Sequence, residues 1–212
     1  PYYQSLNNIP VIADSTWSMI NYEQEFAFDK SLVSEGKGTN IGIDFTFERF
    51  LKDDFYYLAT ASIFDSKYTA GNGNTYNSRF NKNFAITLLG GKEFVFSKQD
   101  DKSQVLGINA RATISGGHRI VPVNEELSYQ AQEVFFDWTN PYVGQNPTDF
   151  FLDLTVLYRK NKENYSSIWA FQIKNTTGTP SNYMYQYNYR ENKIENTNQV
   201  IVAPNISYKI EF

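Results

Sequence analysis

The sequence predicts an all-β fold, an antiparallel up-and-down transmembrane β-barrel segment of about eight strands. Three observations predict it. Apolar and polar residues alternate with period two over unusually long runs. The connections between those runs alternate short and long. The aromatic residues, abundant at 16 Tyr and 17 Phe in 212 residues, gather beside the short connections.

The strands are expected near 17–28, 40–50, 55–65, 83–96, 104–116, 149–159, 165–175 and 202–212. In IGIDFTFERF, Ile41, Ile43, Phe45 and Phe47 form one face and Asp44, Thr46 and Glu48 the other. VLGINARATIS sets Leu106, Ile108, Ala110, Ala112 and Ile114 against Asn109, Arg111, Thr113 and Ser115. FLDLTVLYRK alternates Leu152, Leu154, Val156 and Tyr158 with Asp153 and Thr155. In the closing PNISYKIEF, Ile206, Tyr208, Ile210 and Phe212 alternate with Asn205, Ser207, Lys209 and Glu211. Such runs exceed the five or six residues usual in soluble strands and match the roughly 9–11 that cross a bilayer at a tilt. One strand resists the pattern. In FAITLLGGKEFVF, Lys92 shares a face with Phe84, Ile86, Leu88, Phe94 and Phe96. Either a bulge at Gly90-Gly91 shifts the register or the lysine stem snorkels.

LKDD, SKQDDK and NKEN read as tight charged turns. The longer connections fall around 29–39, 66–82 with its GNGN turn signal, 117–148 and 176–201. NEELSYQAQEVF, inside 117–148, is expected to form a short helix. Short turns at one end and long loops at the other are the outer-membrane pattern, with the short turns periplasmic. Phe50, Phe55, Tyr57, Phe94, Phe96, Tyr158, Tyr165 and Phe212 then map to one rim, like an interfacial aromatic girdle.

Composition narrows the function. The chain has no Cys and a single His, which excludes a disulfide framework, a thiolate nucleophile and Cys- or His-rich metal sites. Net charge is −4 with no basic stripe, so nucleic acid has no electrostatic footprint to meet. No apolar run nears the roughly 20 residues of a membrane helix. The mean hydropathy of −0.50 does not argue against a barrel, whose strands alternate. No signal peptide is visible and the chain opens on Pro1, so a processed or excised chain is expected.

The segments YYLATASIFDSKYTAGNGNTYNSRFNKNFAITLLGGKEF, LGINARATISGGHRIVPV, FFLDLTVLYRKN, AFQIKNTTG and NISYKIEF, in that order, resemble the C-terminal barrel of TonB-dependent outer-membrane receptors of Bacteroidetes type. The resemblance covers about residues 40–212. It implies a 22-stranded barrel around an N-terminal plug whose TonB box engages the energy-transducing TonB complex. It also implies uptake of a scarce nutrient: a siderophore, cobalamin, haem, a glycan or a peptide. Plug, TonB box and the earlier strands are absent here, so residues 1–212 correspond to the last part of such a barrel. Asn175-Thr176-Thr177-Gly178 stands where the family has an Asn-rich ending of the penultimate strand. By the same resemblance, Tyr208, Ile210 and Phe212 in the closing strand form the signal read by the barrel assembly machinery.

Candidate ligand contacts lie in the long loops. His118 and Arg119, after the glycines of SGGHR, are placed to hold a carboxylate or phosphate; the competing reading is a glycine bend with two solvated polar residues. A Ser115–His118 nucleophilic pair lacks an orienting acid. Tyr183, Tyr185, Tyr187 and Arg190 of SNYMYQYNYR suit stacking on ring-shaped ligands, and equally suit an extended hairpin arm. Asp44, Glu48, Asn109, Arg111, Asp153, Lys174, Asn205, Lys209 and Glu211 would line a hydrated lumen. No catalytic residue, metal site or cofactor is expected. The expected partners are outer-membrane lipid, an extracellular nutrient, the assembly machinery and, through the parent's plug, the TonB complex. Two alternatives stay open: a self-contained eight-stranded outer-membrane barrel acting as adhesin or anchor, and a soluble lipocalin-like binding barrel.

Overall fold

The computed structural model describes residues 1–22, 30–99 and 102–212. In chain order the strands are β1 (Tyr2–Val11), β2 (Val33–Lys52), β3 (Phe55–Thr69), β4 (Thr75–Asn77), β5 (Phe84–Gln99), β6 (Lys102–Ser115), β7 (Arg119–Ile120) and β8 (Gly144–Gln145). They continue with β9 (Asp149–Asn161), β10 (Ser166–Lys174), β11 (Pro180–Asn188), β12 (Lys193–Val200) and β13 (Ala203–Glu211). A short helix, α1 (Glu125–Ala131), and a 3-10 turn at Met19–Asn21 complete the elements.

The fold is all-β and antiparallel. One sheet runs β1-β2-β3-β5-β6-β9-β10-β13, with β4 attached to β3. Each long strand pairs with the next long strand along the chain, which is an up-and-down meander. Among the described residues no ladder joins β1 to β13. β11–β12 and β7–β8 are separate two-stranded ribbons.

Register carries the alternation from strand to strand. Ile43 faces Ile63, and Ile63 faces Phe84; Ile86, Ile114 and Phe150 succeed one another across β5, β6 and β9. Val156, Phe171 and Ile206 do the same across β9, β10 and β13. One face is therefore apolar across the sheet, and it is open: Phe47 is 65%, Ile63 64% and Ile206 71% exposed. The opposite face is polar and internally bonded. Asp44 accepts from Ser62 at 2.5 Å, Asp153 from Arg111 at 2.7 Å, Asn109 from Tyr56 at 2.8 Å and Glu93 from Arg159 at 3.0 Å.

Two of these bonds cross an intervening strand, which requires a gap in it. Gly91 of β5 lies between Tyr56 of β3 and Asn109 of β6 in register. A Cβ there would collide with the Asn109 amide oxygen and the Tyr56 ring. Gly91 is thus the groove through which a tyrosine reaches two strands away.

The ends of the sheet differ. Asp53 and Asp54, joining β2 to β3, both have positive φ, 55° and 63°, the backbone of a type I′ two-residue hairpin. Lys162–Tyr165 closes β9 to β10, with Lys162 N–H donating to the Tyr165 carbonyl at 2.8 Å. The turn from β5 to β6 includes residues 100–101, which lie outside the described residues. All longer connections leave from the other end, and most buried apolar residues, Val11, Tyr68, Ala70 and Val121, sit there.

Seven of the eight expected strands are present, with shifted bounds. The expectation at 17–28 is corrected. Residues 17–22 form no strand; Ser18 caps the 3-10 turn, its hydroxyl accepting from Ile20 N–H at 3.4 Å. Residues 23–28 lie outside the described residues. The N-terminal strand is instead β1, hidden in the sequence because Asn8 takes positive φ and the ladder slips twice, between Leu6 and Ile9 and between Ile9 and Val11. β2 also begins at Val33, so the first long connection ends there rather than at 39. No bulge falls at Gly90-Gly91, and Lys92 keeps its place on the apolar face. The ladder runs unbroken through Gly90, Gly91 and Lys92, and the Lys92 ammonium lies 5.3 Å over the Phe94 ring. The bulge falls later, between Val95 and Ser97.

Candidate functional site

The long connections meet at one end of the sheet, on the side of the polar face. Two devices hold them there. Gly116 and Gly117 end β6 where the chain passes so close to the Lys82 and Asn146 carbonyls that a Cβ would overlap both. Buried Asn81 then donates to Asp65 at 2.8 Å and to Asn77 at 3.1 Å. Arg119 joins this knot, donating to the Asn81 carbonyl at 3.0 Å and to Asn83 at 2.8 Å. Lys82 bridges Asp149 at 3.0 Å and Ser115 at 3.3 Å. A buried polar group left unpaired costs about 1–3 kcal/mol, so these contacts fix the loop bases firmly.

The loop from β6 to β9 carries α1. Asn124 caps it by accepting from Leu127 N–H at 3.1 Å, and Glu125 and Glu126 occupy the first turn, where the helix dipole favours acids. Buried Ser128 donates to the Asn124 carbonyl at 2.6 Å and accepts from Phe135 N–H at 2.9 Å, folding the following chain back over the helix.

Between this loop and the 16–22 segment lies a cavity of about 290 Å³. Rings of Trp17, Tyr22, Tyr68, Trp138 and Tyr142 line it with Ser18, Asn21 and Arg79. Tyr68 is fixed by donating to the Thr16 carbonyl at 2.9 Å, and its ring lies edge-on to Tyr142 at 6.3 Å. Trp138 meets Tyr142 at 6.4 Å and Trp17 meets Tyr22 at 5.9 Å. Asn21 accepts from Arg79 N–H at 2.8 Å, while its buried amide nitrogen has no hydrogen-bond partner among the described residues. Ring faces and polar side chains of this kind bind a small ligand by stacking and hydrogen bonds. Among the described residues, no group of three or more His, Cys, Asp and Glu is placed to hold a metal ion.

The sequence-predicted residues fall around this end. His118 is exposed, and its carbonyl accepts from Asn146 N–H at 3.0 Å. Arg119 points into the knot. Tyr183, Tyr185 and Tyr187 share a face of β11; Tyr185 packs edge-on to Phe136 at 6.4 Å and Tyr187 to Tyr129 at 6.1 Å. The hairpin arm therefore leans on the α1 loop. Arg190 is exposed in the hairpin turn, its N–H donating to Asn188 at 3.0 Å. At the opposite end Tyr208 stacks tilted on Trp169 at 4.4 Å, and Ile210 and Phe212 are exposed. The ring-lined cavity escaped the sequence reading because its walls come from residues 16–22, 68, 79 and 138–142. The pairing of Trp17 with Tyr22, and of Trp138 with Tyr142, in segments without alternation is the signal that marks it.

No protein-family model, curated protein or solved structure matches the chain.

Proposed function

We propose that the chain forms part of the wall of an outer-membrane uptake barrel of TonB-dependent receptor type. It contributes extracellular loops for nutrient capture and does no covalent chemistry. The observation that carries this reading is the continuous apolar face. Fully burying a large apolar side chain is worth about 1.5–3 kcal/mol, and contiguous exposed patches this broad mark a surface covered by something else. A bilayer covers it. From Phe150 to Tyr158 the apolar stripe of β9 is nine residues long, about 26 Å along the strand and about 20 Å of height at the tilt of outer-membrane barrels, most of their apolar band of about 25 Å. Phe55, Tyr57, Phe94, Tyr158, Trp169 and Tyr208 follow the short-turn margin of that face in register, at the level of an aromatic girdle. The polar, ion-paired face lines the lumen, and the ring-lined cavity receives the nutrient.

Folding from denaturant tests the membrane reading. The protein is expected to fold only when detergent micelles or vesicles are supplied, and to migrate differently on gels when heated. Monodisperse folding in plain buffer would overturn it. The receptor reading is tested in the producing bacterium. Uptake that is lost on disrupting this gene and equally on disrupting the TonB complex is expected; uptake indifferent to TonB sinks it. Deleting Phe212 is expected to lower surface levels of the full receptor without changing which ligand it binds.

A further inference from the structure

We propose that the ring-lined cavity binds a small zwitterion of betaine type, with its methylated ammonium against the rings and its carboxylate at Arg79. The assignment rests on the reading of this cavity as the nutrient's seat and names the chemistry of that nutrient.

The walls meet as a corner. Tyr142 stands between Tyr68 and Trp138, its ring turned 70° from the first at 6.3 Å and 85° from the second at 6.4 Å. Trp17 and Tyr22 form another pair at 63° and 5.9 Å. A slot between parallel rings suits a flat ligand, whereas rings set nearly at right angles enclose a rounded one. A quaternary ammonium is rounded, has no hydrogen-bond donor to satisfy, and is attracted by ring faces, those of Trp most strongly. A sugar of similar size needs its hydroxyls met, and here the neighbouring polar atoms are engaged in holding the walls. Tyr68 donates to the Thr16 carbonyl at 2.9 Å, and the Thr16 hydroxyl to the Trp138 carbonyl at 2.9 Å. The Ser18 hydroxyl accepts from Ile20 N–H at 3.4 Å and the Asn21 side chain from Arg79 N–H at 2.8 Å.

The backbone at Tyr142 points the same way. Its φ is 60°, in the left-handed region where a bulky side chain is rare and glycine sits without cost. The preceding Pro141 is fully buried, which anchors the turn, and the residue carried at the strained position lines the cavity. Strain of this kind clusters at ligand clamps.

Arg79 lines the same cavity. A simple cation is repelled there. A carboxylate on the same molecule instead meets a guanidinium whose five N–H donors serve more than one acceptor. At about 290 Å³ the cavity lies at the small end of ligand sites, about 300–1,000 Å³, so the two charged groups belong within a few bonds of each other.

Tryptophan fluorescence of the purified, folded protein tests the assignment. Trp169→Phe leaves Trp17 and Trp138, both in the cavity wall, as reporters. Glycine betaine is expected to bind about tenfold more tightly than tert-butylacetate, which keeps the shape and the carboxylate but not the positive charge. It should exceed choline, which keeps the ammonium but not the carboxylate, by about the same factor. Tyr142→Gly should weaken betaine binding about tenfold while the fold persists, because glycine relieves the left-handed backbone as the ring is lost. Tyr142→Phe should keep binding, and Arg79→Gln should bring betaine down to the level of choline. Betaine bound no more tightly than tert-butylacetate or choline, or undiminished in Tyr142→Gly, overturns the proposal. Glucose bound in place of betaine reassigns the cavity to a sugar and overturns it as well. The titration does not involve TonB. Betaine binding with uptake indifferent to TonB sinks the receptor reading alone, whereas TonB-dependent uptake without betaine binding sinks the ligand class alone.

Discussion

At the scale of single residues, neighbouring positions with the same side chain carry opposite demands. Gly90 and Gly91 look alike in the sequence, where a bulge at the pair and a snorkelling Lys92 are open alternatives. In the structure a Cβ on Gly90 would sit 3.5 Å from the nearest atom, ordinary contact, whereas one on Gly91 would strike Tyr56 and Asn109. Gly91→Ala should destabilise the detergent-folded protein by about 1–3 kcal/mol and Gly90→Ala by little; denaturant midpoints compare them. Asp153 makes a similar point. Its buried carboxylate accepts from Arg111 at 2.7 Å and from Asn175 N–H at 2.9 Å, so Asp153→Ala should cost more than Arg111→Ala, whose side chain is largely exposed. In the α1 loop, the Thr139 hydroxyl and N–H both donate to Asp137 and hold its carboxyl below the usual carboxylate range. Because the folded pKa is depressed, this turn's contribution is complete above the unfolded value and fades as pH falls through the folded one. A carboxyl NMR titration checks the direction, and Thr139→Ala should return the midpoint upward.

At the scale of elements, the long strands were legible because one face is apolar and the other polar, and period two records that directly. Elements without such a contrast were not legible. β1 breaks its own alternation at Asn8 and Pro10, and residues 17–22, whose apolar side chains suggest a strand, hold a 3-10 turn capped by Ser18. The ring-lined cavity was illegible for a stronger reason: its five rings come from three separate stretches brought together only by the sheet's topology. The turns reward closer reading. With Asp53 and Asp54 both in the left-handed region, Asp54→Gly should stabilise by roughly 1 kcal/mol, measured by the same denaturation. The β11–β12 arm rests on α1 through ring contacts. Tyr185→Ala/Tyr187→Ala should leave the main sheet folded while exposing residues 180–200 to limited proteolysis; an unchanged cleavage pattern would show that the rings do not hold the arm.

At the scale of the whole molecule, the decisive variable is which face a change lands on. Leu154→Arg places a charge in the middle of the apolar stripe and should weaken folding into a bilayer by about 2–4 kcal/mol. Thr155→Arg, one residue along on the polar face, should be tolerated, and comparison of folded fractions in vesicles separates the two. Equal tolerance would mean that the apolar face does not meet lipid. The same geometry governs how such a protein can change over generations. From β3 to β10 the ladders run with one slip, at Val95–Ser97, and a single inserted residue would turn every later side chain in its strand to the wrong side. A lineage descending from this chain can lengthen its loops by any number of residues, but it can lengthen its strands only in pairs or at the cost of a bulge such as that between Val95 and Ser97.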